Sequence, residues 1–174
     1  MSGFMSAMGE MPQGKLSKGL KQLKEEHPPL LEQLDDLFKL TQLISENVEL
    51  EKNFAELITM VSKFKLELDP HSEREEGVLF PMLGVYIGTT SGPIAVMEYE
   101  HDQAKSKIKA FLEKAKSDGC EREEIQNLSG LIKEAYFILK EHFAKEENVL
   151  FPMAERMLTD EEKEELFNKI QEIK

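Results

Sequence analysis

HSEREEGVLFPM (residues 71–82) and HFAKEENVLFPM (residues 142–153) are two versions of one twelve-residue phrase, identical at eight positions. Both reduce to H-x-x-x-E-E-x-V-L-F-P-M. Residues four apart lie on the same face of a helix, so each histidine and the first glutamate after it can reach one point. A further histidine precedes each copy: His27 comes 44 residues before His71, and His101 comes 41 before His142. The chain has four histidines, and all four belong to this pattern. Two similar halves, residues 27–82 and 101–153, are therefore expected to face each other about a pseudo-two-fold axis.

Outward from the repeats the apolar period is helical. Leu16, Leu20, Leu23, His27, Leu30, Leu34 and Leu37 share a stripe. Pro28 and Pro29 suit the first turn of a helix. They divide a short helix near 15–26 from a longer one near 28–45, with His27 at the junction. A second long helix begins after Asn47 with Phe54, Leu57, Val61, Phe64, Leu68 and His71 inward; Pro70 should kink it and Pro81 bend or end it. A third runs from about 93 to 117, carrying Met97, His101, Ala104 and Ile108. A fourth runs from about 121 to 158, carrying Ile132, Ala135, Leu139 and His142. Thr159 and Glu162 form a capping-box signature for a last short helix. No strand-like alternation occurs. The expected fold is all-α: an antiparallel up-down four-helix bundle over residues 15–174, with short N- and C-terminal helices. Residues 1–14, with four methionines and three glycines, are expected to be a flexible tail.

Composition narrows the function. A net charge of −12 argues against a nucleic-acid partner. No apolar run approaches the roughly 18 residues of a membrane span, and no basic leader precedes Glu10. One cysteine, Cys120, cannot form an internal disulfide or a redox pair. A cytoplasmic protein without nucleic-acid or membrane partners is expected.

Six of the residues in the repeats carry chemistry: His27, His71, Glu75, His101, His142 and Glu146. Each histidine lies on an otherwise apolar stripe, and an unpaired buried carboxylate is costly. No lysine or arginine lies on the His-Glu stripes to compensate, so metal is the economical partner. Six ligands exceed the four that a structural zinc needs. Two glutamates bridging a pair of ions would leave two histidines for each. Ligation by nitrogen and oxygen without thiolate suits iron or manganese, with zinc as an alternative. Glu76 and Glu147, about 100° round the helix from the first acids, are expected to face solvent. Glu98 is a candidate outer ligand. Val78, Leu79, Phe80 and Met82, with Val149, Leu150, Phe151 and Met153, are expected to pack in the core.

These residues resemble the hemerythrin-like cation-binding domains. The resemblance rests on His27, His71-x-x-x-Glu75-Glu76-x-x-Leu-Phe-Pro81, Glu-Tyr-Glu-His101-Asp and His142-x-x-x-Glu146-Glu147-x-x-Leu-Phe-Pro152, and covers about residues 20–158. It implies a four-helix bundle holding two non-haem iron ions, oxo- or hydroxo-bridged, with the six residues above as ligands. Oxygen-carrying members place a second histidine on helix three, where this chain has Met97 and Lys105. Their last acid follows the final histidine by five residues, whereas Glu146 follows His142 by four. The ligand set is more similar to the bacterial iron–sulfur repair and nitric-oxide-linked members. The implied function is binding or reaction of oxygen, nitric oxide or a peroxide at a di-iron centre, in stress response or iron-centre repair, with a redox partner protein. The alternative is an iron sensor or iron donor without turnover.

Overall fold

A computed structural model describes residues 15–115 and 120–174. The methionine-rich segment 1–14 and residues 116–119, between the third and fourth long helices, lie outside the described residues. Helix α1 spans Lys18–Glu25, α2 His27–Ser45, α3 Leu50–Arg74, α4 Phe80–Ile87, α5 Gly92–Ala115, α6 Arg122–Lys145, α7 Phe151–Met157 and α8 Asp160–Ile170. Among the described residues there is no strand, and the all-α helical bundle expected from the periodicity is the observed fold. No described helix is long and apolar enough to cross a membrane.

Two π-helical turns, Glu75–Leu79 and Glu146–Leu150, join α3 to α4 and α6 to α7. In them the amides of Phe80 and Phe151 donate to the carbonyls of Glu75 and Glu146, five residues back. The prolines explain their position. Pro81 and Pro152 lack an N–H, and a proline ring collides with the carbonyl four residues earlier. Those carbonyls belong to Gly77 and Asn148, inside the two π turns, whose wider bore relieves the clash. Pro81 therefore does not end the helix; the chain continues helically to Ile87. Pro70 likewise does not end α3.

The contacts divide into two compact units. Pro28–Asp69 and Tyr99–Lys140 form one. Here Gln126 Nε2 donates to the Ile44 carbonyl at 2.6 Å, and the Tyr136 hydroxyl to Asp35 at 3.2 Å. Residue numbers rise along α2 as they fall along α6, so these helices are antiparallel. Leu34, Leu37, Leu57, Val61, Phe64, Ile108, Phe111, Ile132 and Leu139 are buried. Asn47, at φ 59°, turns the chain between α2 and α3, and its side chain accepts from Arg122 at 3.0 Å.

The described residues of the other unit are 15–27, Pro70–Glu98 and Glu141–Lys174. Its core joins Leu20 and Leu23 of α1, Leu79, Phe80 and Leu83, Leu150, Phe151 and Ala154, and Leu166 and Ile170 of α8. Helix α1 meets α8 at Gly19, where an added Cβ would lie 3.0 Å from Leu166 and 3.2 Å from the Phe167 backbone. Only a glycine permits that approach without a shift. The capping box expected at Thr159 is present: its side chain accepts from the Glu162 amide, and Glu162 accepts from the Thr159 amide. The C-terminal helix also packs against the first π turn. Val78 is buried, but Val149 is 37% exposed, so it is not the core residue expected from the repeat.

Candidate metal centre

His27 begins α2, and His71 and His142 lie near the ends of α3 and α6. Glu75 and Glu146 open the two π turns. All five belong to the unit that contains α1 and α8, and all are buried, with relative exposures of 0–1%. His101 lies on α5 in the other unit and is 2% exposed.

Ligand atoms of His27, His71, Glu75 and Glu146 lie within 4.8 Å of one another. His27 Nε2 is 3.0 Å from Glu146 Oε1, and His71 Nε2 is 3.4 Å from Glu75 Oε2. His142 Nε2 is 3.2 Å from Glu146 Oε2 and 4.0 Å from Glu75 Oε1. Each carboxylate thus turns one oxygen toward the His27–His71 side and the other toward His142. Two ligands at about 2.1 Å from one ion and at right angles are about 3.0 Å apart, so these spacings suit atoms converging on cations.

The donor set passes a second test. His27 Nε2, His71 Nε2 and both Glu146 oxygens are buried without a well-formed hydrogen bond, although His27 and Glu146 approach within 3.0 Å. The approach is close enough but misaligned for a proton between them. Buried polar atoms are normally paired. Lone pairs that converge without hydrogen-bond geometry fit a shared cation.

The outward ring nitrogens are held by acids. His27 Nδ1 lies 2.7 Å from Glu147 Oε2, and His71 Nδ1 lies 2.8 Å from Glu26 Oε1. A carboxylate at Nδ1 places the proton there and leaves Nε2 as the lone-pair donor. Glu147 is therefore not simply a solvent-facing acid; its side chain is only 29% exposed. In the metal-free chain, burial opposes charging of His71, but the Glu75 charge and the Glu26 hydrogen bond outweigh it and push its pKa up to about 10. Burial likewise opposes a charged His27, but the nearby Glu146 carboxylate and the Glu147 carboxylate that accepts from Nδ1 raise its pKa. Burial would raise the pKa of Glu26, but His71, Gln22 and Arg74 together lower it. The His27 hydrogen bond lowers that of Glu147 against the opposing effect of burial.

Aromatic rings wall the site. Phe143 stacks on His27 at 4.3 Å between centroids and lies 5.8 Å from both His71 and His142. Phe151 stacks near His27 at 5.7 Å. Phe143, Glu26 and Arg74 were not evident as site residues in the motif alone. One signal was available: Glu26 precedes His27 as Glu100 precedes His101. Of the three tyrosines, Tyr86 and Tyr99 are 43% and 64% exposed, and Tyr136 bonds Asp35.

The chain is 32% identical over 131 residues to the iron-sulfur cluster repair protein YtfE of Citrobacter koseri. It is 31% identical over the same length to those of Escherichia coli and Escherichia fergusonii. The alignments cover 71% of this chain and 58% of each relative, so the chain spans little more than half the length of the curated relatives it matches. The family model for the hemerythrin HHE cation binding domain matches residues 18–154. With the doubled His-Glu motif and all six sequence-predicted ligands inside that match, the chain belongs to the hemerythrin HHE cation binding domain family.

Proposed function

We propose that this chain is a cytoplasmic, non-haem di-iron protein that binds or reacts with oxygen, nitric oxide or a peroxide in the repair of iron centres. The observation that carries the proposal is the splay of the two glutamates. Each offers one oxygen toward His27 and His71 and the other toward His142. In this reading His27, His71, Glu75, His142 and Glu146 would hold the iron from one compact unit, and His101 is proposed as a sixth ligand. Iron suits the nitrogen–oxygen donor set, and manganese or zinc would accept the same ligands.

When bound, the iron pair supplies exchangeable electrons and an open position for a small molecule. The chain's own residues hold it in place. Glu147 and Glu26 fix the ring orientation of His27 and His71 through Nδ1, while Phe143 and Phe151 keep water from the imidazole faces. The name of the relatives supports iron–sulfur cluster repair as the setting, and a redox partner protein would supply the electrons.

Metal analysis of the freshly purified chain tests the proposal. About two iron ions per chain, with near-ultraviolet charge-transfer absorption, are expected. His71→Ala and Glu146→Ala should each lose much of that iron. Full retention of both ions by either variant would refute the assignment.

A further inference from the structure

We propose that Glu26 and Arg74 are positioning residues for His71, and that through them the C-terminal turn is tied to the metal centre. The inference rests on the metal reading above. His71 Nδ1 donates to Glu26 Oε1 at 2.8 Å. The second oxygen, Glu26 Oε2, accepts from Arg74 Nη1 at 2.8 Å. The same guanidinium donates through Nε and Nη2 to the Ile173 carbonyl at 3.2 and 2.8 Å. One unbroken chain of donors and acceptors therefore runs from the backbone after α8 to the ring of a ligand. All of it lies within one compact unit.

Chemistry gives each link a direction. The guanidinium is a rigid fork whose donors cannot turn independently. With two of them on a backbone oxygen, the third is aimed at Glu26 and fixes that carboxylate's plane. The carboxylate in turn holds the His71 tautomer that presents Nε2 to the cation and makes the ring a stronger donor. The side chains of Glu26 and Arg74 are only 21% and 18% exposed, so solvent screens the relay weakly. An exposed ion pair of the kind common on this acidic surface would lack that leverage. The link also joins three segments far apart in sequence: the end of α1, the end of α3 and the turn after α8.

The test uses the full chain loaded with ferrous iron. Iron release to a ferrous chelator is timed, the absorption of the loaded protein is recorded, and the thermal midpoint of the metal-free form is measured. Glu26→Ala should release iron roughly 10- to 100-fold faster and shift the charge-transfer bands. Glu26→Gln keeps an oxygen for Nδ1 and should fall between Glu26→Ala and the parent. Arg74→Gln should accelerate release several-fold. Glu155→Gln is the control. It keeps an oxygen for the Ser17 amide, loses the charge that pairs with Lys163 in the same unit, and touches no ligand. It should lower the thermal midpoint and leave iron release at the parental rate. Parental release and spectra in the Glu26 variants would overturn the inference. So would release rates that simply follow thermal stability across the whole set, Glu155→Gln included. If Glu26→Ala does not fold, Glu26→Gln and Arg74→Gln carry the comparison. A parent chain that takes up no iron would overturn the metal reading itself, whereas iron-loaded variants indistinguishable from the parent overturn only this inference.

Discussion

Truncating Phe143, whose ring packs against three of the proposed ligands, should destabilise the metal-free fold substantially. Its ring is 1% exposed, and it lies against His27, His71 and His142 at 4.3, 5.8 and 5.8 Å. Burying a phenylalanine contributes about 1.5–3 kcal/mol, and the cavity left by Phe→Ala brings the usual cost to about 3–5 kcal/mol. The lower end is expected here, because one wall of the cavity is imidazole and can be hydrated. About 3 kcal/mol in a chain of this size corresponds to roughly 6–12 °C in Tm. Urea unfolding of the metal-free chain, followed by circular dichroism, measures the effect. Phe143→Leu, which leaves a much smaller cavity, should cost less than half as much. The first motif has Ser72 at the matching position, 2% exposed, so no second ring stands ready to fill the space. A loss below about 1 kcal/mol for Phe143→Ala would show that the ring does not carry the packing assigned to it. Equal losses for the alanine and leucine variants would show the same.

The metal-free chain should become less stable as pH rises above neutrality. His71 has a folded pKa of about 10 against an ordinary 6.5. Its charged form therefore stabilises the fold fully below pH 6.5, and that contribution disappears as pH rises through about 10. The raised pKa of His27 acts in the same direction. Glu26 and Glu147, with lowered pKa values, add stability above the ordinary 4.5 that is lost as pH falls. Iron binding should show the opposite slope on the alkaline side, since ligand imidazoles must lose their protons. Urea midpoints of the metal-free chain that increase from pH 6.5 to 9.5 would contradict the charge placement. Thr159→Ala removes one arm of the capping box and should cost about 1 kcal/mol with iron content unchanged; a neutral effect on the urea midpoint would mean that α8 is held by packing alone.

The motif made the fold and the ligand candidates legible because both depend on period. Leu20, Leu34, Leu57, Val61, Ile108 and Ile132 recur at helical spacing, and all are buried. The same period marks His71 with Glu75 and His142 with Glu146. What the sequence hid is what a period cannot carry. Glu26 is an ordinary acid at the end of a charged helix until the fold brings it 2.8 Å from His71, 45 residues away. Arg74 is off the ligand stripe, so a search for cations on that stripe passes over it. Glu147 was read as solvent-facing from its helical phase alone, but His27, 120 residues earlier in the chain, is its hydrogen-bond partner.

The π turns supply a physical reason for the second half of the motif. Glu146 Oε1 reaches His27 Nε2 at 3.0 Å, and the ring of Phe151, five residues later, stacks near the same imidazole at 5.7 Å. In regular α-helix, five residues rotate through about 500°, leaving the two side chains about 140° apart and on different faces. An i→i+5 turn takes up one extra residue, so that rotation shrinks toward a full circle and the carboxylate and the ring can address one histidine. The amide of Phe151 closes that turn on the carbonyl of Glu146 itself. Pro152 then keeps the turn from reverting, because a regular α-turn would bring its ring against the carbonyl of Asn148. The apolar Val-Leu-Phe-Pro tail of the motif is thus more than core filling: its proline favours the wide turn, the wide turn aligns Phe151 with Glu146, and both reach His27 from one side. Glu75, Phe80 and Pro81 repeat the same backbone arrangement in the first motif.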